Sequence, residues 1–560
     1  MSTPKRRYGA LAGIAAATVA IGSAELVAVP TGARSAPLVA VGGVVVDLVP
    51  EPLKQFAIDV FGVHDKTALL IGTALLLAGF AALIGIGALR TPPLGYAGIA
   101  LFGIVGATAA LTRPGAGATA VLPSLVGAAL AAGVLRRLRG VLVPAPWPDA
   151  PLVTSTVPAR TGVPAPAPVP ATEPALGEHA VVEDRAPVED RAPVGDRAPV
   201  EELDLVEGRR RFLTGVAVAA GAAAVSGFGG RWLATRRGVS DARAALTLPA
   251  PASPAPPVPA GADLSLPQLA PYMTPNSRFY RIDTALVVPQ VDPDSWRLRI
   301  HGRVRNPITL SYADLLARPL IERDITLACV SNEVGGDLVG NARWLGVPLA
   351  ELLDQAGPFD DADQVVGRSA DGWTCGTPTA LMRDGRDAML AIGMNGEPLP
   401  VQHGFPVRVV VPGLYGYVSA CKWVVELELT RFTDFDAYWV PRGWAPDGPI
   451  KTQSRIDTPR PRNRLSPGPV TIAGVAWAQH RGIKQVEVQV DDGPWEPAAL
   501  APAASVDTWV QWSRVWQATA GEHTLRVRAT DATGATQSGQ PRPVAPDGAT
   551  GWHTVRVTVR

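Results

Sequence analysis

Ile325-Thr-Leu-Ala-Cys-Val-Ser-Asn332 carries one of only three cysteines in a chain of 560 residues. Downstream of it come His403-Gly-Phe-Pro-Val-Arg408, Pro412-Gly-Leu-Tyr-Gly416 and Lys422-Trp423. A single thiolate, followed at long range by a histidine and basic residues in Gly/Pro-rich turns, suits a protein that holds a soft metal inside a large anionic cofactor. The sulfur serves the metal, and the cationic donors serve the cofactor's phosphate.

The other two cysteines, Cys375 and Cys421, form no CxxC pair and are too widely spaced for a disulfide framework, so they read as small buried hydrophobes. Formal net charge is +1, and no basic stripe is interleaved with aromatics, which argues against a nucleic-acid partner. Hydrophobic residues make up 47% of the chain and mean hydropathy is +0.15, so part of it is expected to lie in lipid.

The apolar residues concentrate before residue 140. Stretches at roughly 10 to 28, 67 to 90, 95 to 112 and 119 to 135 each approach the ~20 residues a helix needs to cross hydrocarbon, and predict four transmembrane helices. Residues 36 to 50 are apolar but short and glycine-rich, which predicts a re-entrant or interfacial piece. Lys5-Arg6-Arg7, Arg90 and Arg136-Arg137-Leu-Arg139 put their loops in the cytoplasm, leaving Glu51, Asp59 and Asp65 outside. No histidine lies within these spans and His64 precedes the second, so a haem held between two membrane histidines is excluded.

From 140 to 207 the chain turns to Pro, Ala, Val and charge, with Glu183-Asp-Arg-Ala-Pro-Val188 repeated at 189 to 194; this predicts a disordered linker. Gly208-Arg-Arg-Arg-Phe-Leu-Thr214 and the apolar run after it predict a signal anchor helix over 208–232 of twin-arginine type, with an ordinary stop-anchor as the alternative. That helix would carry everything after it outward, giving a multi-pass cell-membrane protein with its soluble part extracytoplasmic. The twin-arginine route moves folded proteins, which fits a cofactor loaded in the cytosol.

A second linker is expected over 233–263 and an α+β domain over 264–465, with strands such as Trp296-Arg-Leu-Arg-Ile300 and short helices at Tyr312 to Leu316 and Leu349 to Gln355. Beyond it, 466–560 reads as short alternating strands, from Val470 to Trp477 through Thr554 to Thr558, and predicts an immunoglobulin-like sandwich.

Residues 264 to 560 resemble the sulfite oxidase family of molybdopterin-dependent oxidoreductases, in the family's order: Phe279-Tyr-Arg281, Thr326-Leu-Ala-Cys329, Trp344-Leu-Gly-Val-Pro-Leu349, Met394-Asn-Gly-Glu-Pro-Leu-Pro400, His403 to Arg408, Pro412-Gly413 and Lys422-Trp423. The resemblance implies a molybdenum-molybdopterin cofactor with Cys329 as the one protein ligand of the metal, and oxygen-atom transfer as the reaction. It implies further that Phe279, Tyr280, His403, Arg408, Lys422 and Trp423 contact the cofactor. Arg281 would bind an oxyanion substrate, or else close its loop with a salt bridge. In the family the terminal sandwich mediates dimerisation, so a homodimer is expected, with exposed aromatics sought among Trp477, Trp495, Trp509, Trp512 and Trp516.

The chain departs from sulfite oxidase at three places. Arg281-Ile282-Asp283 replaces Arg-Asn-His, Asn332-Glu333-Val334 replaces Asn-Arg-Arg, and Ile392 replaces a pocket tyrosine, leaving Tyr280, Tyr415 and Tyr417 to supply a hydroxyl. Lost positive groups and added acids make a poorer pocket for a sulfite dianion. The expected activity is therefore oxygen-atom transfer on a small sulfur or nitrogen oxo-compound, with electrons passed to a separate cytochrome or quinone-linked protein. The alternatives are a protein methionine sulfoxide reductase and a non-catalytic surface binding protein that uses the sandwich.

Overall fold

A computed structural model describes residues 3–50, 60, 65–113, 116–142, 198–236, 238–461 and 463–560. By compactness the chain falls into two units, one comprising 1–20, 76–101 and 128–225, the other 21–75, 102–127 and 226–560.

The helices of the N-terminal half are α1 (Thr3–Thr31), α2 (Pro37–Leu48), α3 (Asp65–Arg90), α4 (Pro92–Leu111), α5 (Leu122–Leu142) and α6 (Ala198–Arg236). Among the described residues five stretches are long and apolar enough to cross a membrane: Arg6–Thr31, Ala68–Arg90, Pro92–Leu111, Ala118–Leu142 and Glu207–Leu233. They match the four early spans and the anchor expected from sequence, and α2 is the short apolar piece between the first two.

In the first unit, α1 meets α3 through small residues. A Cβ on Gly13 would lie 1.9 Å from Ala81 O, and one on Gly85 would lie 2.1 Å from Gly9 O. Both helices therefore need small residues at this approach, Gly9 and Gly13 on one and Ala81 and Gly85 on the other, so that their backbones can come close. Phe212 of α6 is fully buried in the same unit, edge-on to Tyr8 at 5.3 Å.

Residues 143–197, most of the expected linker, lie outside the described residues. Its ends are helical: α5 continues to Leu142 and α6 begins at Ala198, ten residues before the expected anchor.

The second expected linker is corrected more fully. After α7 (Ser240–Ala245) the Pro/Ala segment is a strap on the domain surface: Ser253 pairs in parallel with Ile321, its N–H donating to Leu320 O at 3.2 Å and its O accepting from Glu322 N at 2.9 Å. Ala262 is fully buried. Extended proline-rich chain lacks N–H groups but keeps its carbonyls, and Arg343 Nη2 donates to Pro256 O at 3.1 Å.

Two sheets build the domain that follows. One has the order β2 (Ile308–Ser311), β1 (Arg297–Gly302), β10 (Val424–Thr430), β5 (Gln364–Ser369), β6 (Thr374–Pro378), with β1 and β10 parallel. The other has the order β3 (Ile321–Ala328), β4 (Val339–Pro348), β7 (Met389–Met394), β8 (Glu397–Pro398), with β9 (Arg408–Val410) on β7. Asn395 and Gly396, both at positive φ, form the tight turn between β7 and β8 that Met394-Asn-Gly encodes. Helices α8 (Tyr312–Leu316) and α9 (Leu349–Ala356) pack into a core with Trp296, Leu298, Val365 and Leu427.

The C-terminal part is two sheets over one core. The first is β11 (Gln453–Thr458), β13 (Gly468–Trp477), β17 (Val510–Ala518), β16 (Ala499–Leu500), and the second β12 (Arg464–Leu465), β19 (His553–Val559), β18 (Gly521–Asp531), β14 (Ile483–Val490), β15 (Glu496–Pro497). Ile472 and Trp512 from one face meet Val486, Leu525 and Val555 from the other. Of the five candidate aromatics, Trp477, Trp509 and Trp512 are buried in the core and Trp495 and Trp516 are half-exposed, which sorts what alternation alone could not.

These strands also grip the domain before them. Thr326 on β3 donates its N–H to Asp507 O, its Oγ1 accepts from Trp509 N, and its O accepts from Gln479 Nε2, all at 2.8–2.9 Å.

Candidate functional site

Strand β3 ends at Ala328 and delivers Cys329, 8% exposed, to a loop that closes on itself. Cys329 N donates to Leu338 O at 2.9 Å, Asn332 N donates to Cys329 O at 3.1 Å, and Leu338 N donates to Asn332 Oδ1 at 2.8 Å. Asn332 therefore holds the loop shape, while Glu333 is exposed. The sandwich braces the loop's far side: Arg455 Nη1 donates to Gly336 O at 2.7 Å, and the His553 ring lies against Gly335, whose φ of +82° already favours glycine. Burial pushes the Cys329 thiol up, partly opposed by hydrogen bonds at Ser331 and by the Lys422 charge.

Three cationic or ring groups converge from the segment 403–422. Arg408, at the start of β9, is 5% exposed and lies over the Trp344 ring at 5.0 Å. Its Nη1 donates to His403 O at 3.2 Å and its Nη2 to Ala420 O at 3.5 Å, but its buried Nε has no partner among the described residues. Burial brings its pKa down to about 10. A buried guanidinium with an orphan donor and no carboxylate is a site built to receive an anion.

His403 is 1% exposed, and burial followed by the Arg408 charge lowers its pKa to about 4, so it is neutral near pH 7. Its Nε2 is 3.2 Å from Asn276 O. A carbonyl only accepts, so Nε2 carries the proton and Nδ1 is left as an acceptor. The ring stands edge-on to Phe279 at 5.6 Å, and Phe279 stacks on Tyr280 at 5.1 Å. Tyr280 feels the charges of both Cys329 and Arg408, and desolvation keeps its phenol protonated far above neutral pH.

Lys422 Nζ donates to Asp283 Oδ2 at 2.7 Å and lies over the Trp423 ring at 4.8 Å; burial lowers its pKa to about 8. Gly404, at φ +115°, keeps this corner open, because a Cβ there would meet the Lys422 backbone at 3.2 Å. Trp423 is buried at φ +52° and ties its Nε1 to Val401 O at 2.8 Å.

Arg281 reaches the same carboxylate, with Nε to Asp283 Oδ2 at 2.8 Å and Nη2 to Oδ1 at 3.3 Å. The loop-closing salt bridge is thus present, and Nη1 takes no part in it. Of the three candidate tyrosines, Tyr417 donates to Ala445 O at 2.8 Å, Tyr415 accepts from Lys451 N at 3.4 Å and feels the Cys329 charge, and Tyr280 feels the charges of both Cys329 and Arg408. Ile392 is fully buried core.

All eight sequence-derived site residues thus lie in this region. Three contributors were missed. Asp283 stood out only as a departure from a pattern, Asn276 acts through its backbone, and Trp344 seats Arg408 from a strand far away in sequence.

Residues 285–439 match a family described as the oxidoreductase molybdopterin binding domain. Mitochondrial sulfite oxidase from Homo sapiens is 31% identical over 341 residues, 51% of this chain and 62% of that protein. Sulfite oxidase from Gallus gallus is 30% identical over 326 residues, 49% and 69% of the two chains. An uncharacterised oxidoreductase, YuiH, from Bacillus subtilis is 33% identical over 153 residues, 27% and 74%. The crystal structure of the sulfane dehydrogenase SoxCD from Paracoccus pantotrophus aligns over 52% of this chain and 84% of its own, at 25% identity and TM-score 0.46. The chain spans between half and two thirds of the length of the mammalian relatives.

Proposed function

Because the chain belongs to the sulfite oxidase family of molybdopterin oxidoreductases, we propose that it is a membrane-anchored enzyme transferring an oxygen atom to or from a small sulfur or nitrogen oxo-compound. The family's cofactor is molybdenum-molybdopterin, which supplies the oxygen acceptor or donor and takes up the two electrons. The observation that carries the reading is the orphan Nε of buried Arg408 beside His403 and Lys422, a cradle whose donors suit a pterin phosphate. Cys329 Sγ would be the protein's ligand to the metal, and Cys329 itself is 8% exposed beside buried Val330.

The chain's own residues position and neutralise. Arg408 and Lys422 hold the anion, His403 presents Nδ1 as an acceptor, and Phe279, Tyr280 and Trp423 form the apolar walls. Tyr280 keeps its phenol proton and offers it to a substrate oxygen. Arg281 orients the substrate through the nitrogen not engaged by Asp283. With Asp283 cancelling one of these two charges, a neutral or singly charged S=O or N=O group is favoured over a sulfite dianion.

The five apolar helices supply the anchor, and the charge pattern of their ends puts the catalytic domain outside, exported folded by the twin-arginine sequence. The terminal sandwich is assigned as immunoglobulin-like, with homodimerisation as its role, and a cytochrome or quinone-linked protein takes the electrons. Protein methionine sulfoxide reduction is the second reading, supported by the same charge cancellation at Asp283. A non-catalytic surface protein would have no use for a buried thiol and orphan guanidinium in one pocket.

Molybdenum and pterin content of the purified protein tests the assignment, and an adhesion protein would contain neither. Turnover of sulfite with ferricyanide, against methionine sulfoxide with reduced viologen, separates the two enzyme readings.

A further inference from the structure

Two stretches leave the cofactor cradle and run directly into the wall of one cavity of about 320 Å³. Asp283, which pairs with Lys422, is followed by Thr284, Ala285, Leu286 and Val287, all of which line it. Trp423, next to Lys422, accepts at its O from Ala370 N at 2.7 Å, and Asp371, Gly372 and Trp373 line it too. The opposite wall is the ends of apolar helices: Arg34 after α1, Val39 and Val46 of α2, and Arg113 after α4.

We propose that this cavity docks the headgroup of a membrane quinone, which exchanges two electrons with the centre behind it; the proposal rests on the oxidoreductase reading above. Quinone oxygens need cationic donors, and Arg113 offers a buried Nε without a partner among the described residues, its Nη1 being held by Asp47 at 3.0 Å. The ring needs a flat apolar wall, which Trp373 provides, the Tyr438 ring being covered at 3.8 Å by the Arg442 guanidinium, and an isoprenoid tail would leave past Val39 and Val46 toward lipid. Reduction also consumes protons, and Asp47 and Asp371 are carboxylates on the wall able to pass them. Those same carboxylates disfavour a lipid phosphate, the other ligand that Arg34, Arg113 and Arg442 on the wall would attract.

The balance closes. Substrate plus water becomes oxo-product with release of two protons and two electrons, and quinone takes two electrons and two protons to become quinol; the reductive direction is the reverse. The bonded route from Lys422 through Asp283 to the cavity-lining Thr284 crosses one hydrogen bond and one residue, and none of the five long apolar stretches among the described residues contains a histidine for a haem relay.

The test uses the full-length holoenzyme in zwitterionic phospholipid nanodiscs under anaerobic conditions. Oxidised protein is mixed with decylubiquinol, with a short-chain menaquinol, or with reduced methyl viologen, and bleaching of the visible absorption of the oxidised centre is followed. Quinol is expected to reduce the wild type. Arg113→Gln, and Val46→Trp as a cavity-filling variant that removes no charge, are expected to need about tenfold more quinol while viologen reduction stays within about twofold. Quinone is also expected to quench tryptophan emission, less so in Trp373→Leu. Failure of both quinols to reduce a centre that viologen does reduce overturns the proposal, as does equal quinol dependence in all variants, or quenching by anionic phospholipid alone. Failure of viologen as well overturns the underlying oxidoreductase reading.

Discussion

Asp283→Asn tests the charge argument at the substrate mouth. The substitution removes a negative charge lying 2.8 Å from Arg281 Nε and 2.7 Å from Lys422 Nζ, on a side chain 5% exposed. An anion seated on Arg281 would lie about 5 Å from that carboxylate, where an effective dielectric near 20 gives a repulsion of roughly 3 kcal/mol. Arg281 is itself 36% exposed, so solvent screening removes at least half. About 1.4 kcal/mol remains, which is about tenfold in affinity. The assays are sulfite oxidation with ferricyanide and methionine sulfoxide reduction with reduced viologen, run beside molybdenum analysis and a melting curve. KM for sulfite should fall about tenfold, whereas KM for the neutral sulfoxide should stay within about twofold. Equal shifts for the two substrates, at unchanged metal content, would show that the Asp283 charge does not govern substrate choice.

Cys329→Ser should lower molybdenum from about one per chain and change the absorption spectrum with loss of turnover; an unchanged spectrum would remove Cys329 from the metal. Trp344→Ala should cost about 3–5 kcal/mol and loosen cofactor retention, because the fully buried indole also seats Arg408; this is read by thermal unfolding and pterin fluorescence. His553 has its pKa lowered from 6.5 to about 4 by burial, and its Nδ1 accepts from Ile456 N. Between those values the unfolded chain binds a proton that the folded one refuses, so stability falls as pH drops from 6.5 toward 4, by about 3 kcal/mol. His553→Gln should flatten that slope, and an unaltered pH profile of the melting temperature would refute it.

Much of this site was legible because its chemistry is local in sequence. The thiol at a strand end, His403-Gly-Phe-Pro-Val-Arg408 and Lys422-Trp423 each announce a turn carrying a donor, and their order announces the rest. What stayed hidden depends on distance. Lys422 finds Asp283 across 139 positions, and Arg408 rests on Trp344 from another strand. Asn276 contributes a carbonyl, which any residue possesses, so no side-chain pattern could mark it. The long apolar helices are plain from apolar length alone, whereas nothing in the Pro/Ala composition expected as a linker over 233–263 shows that it lies along the domain surface at Ser253. Proline content reports the absence of N–H donors, not the absence of a surface to lie on.

Thr326 sits three residues before the thiol and donates its hydroxyl to Asn341 close by, yet its N–H, its O and the accepting side of its hydroxyl are met by Asp507, Gln479 and Trp509, from the last hundred residues of the chain. The strand that ends at Cys329 therefore gains its full set of hydrogen bonds only once residues 479–509 have been made, so a group bound at that loop would meet a receptacle already braced from behind. Heating should likewise dissolve both halves in a single cooperative event, with loss of the group softening a region that never touches it.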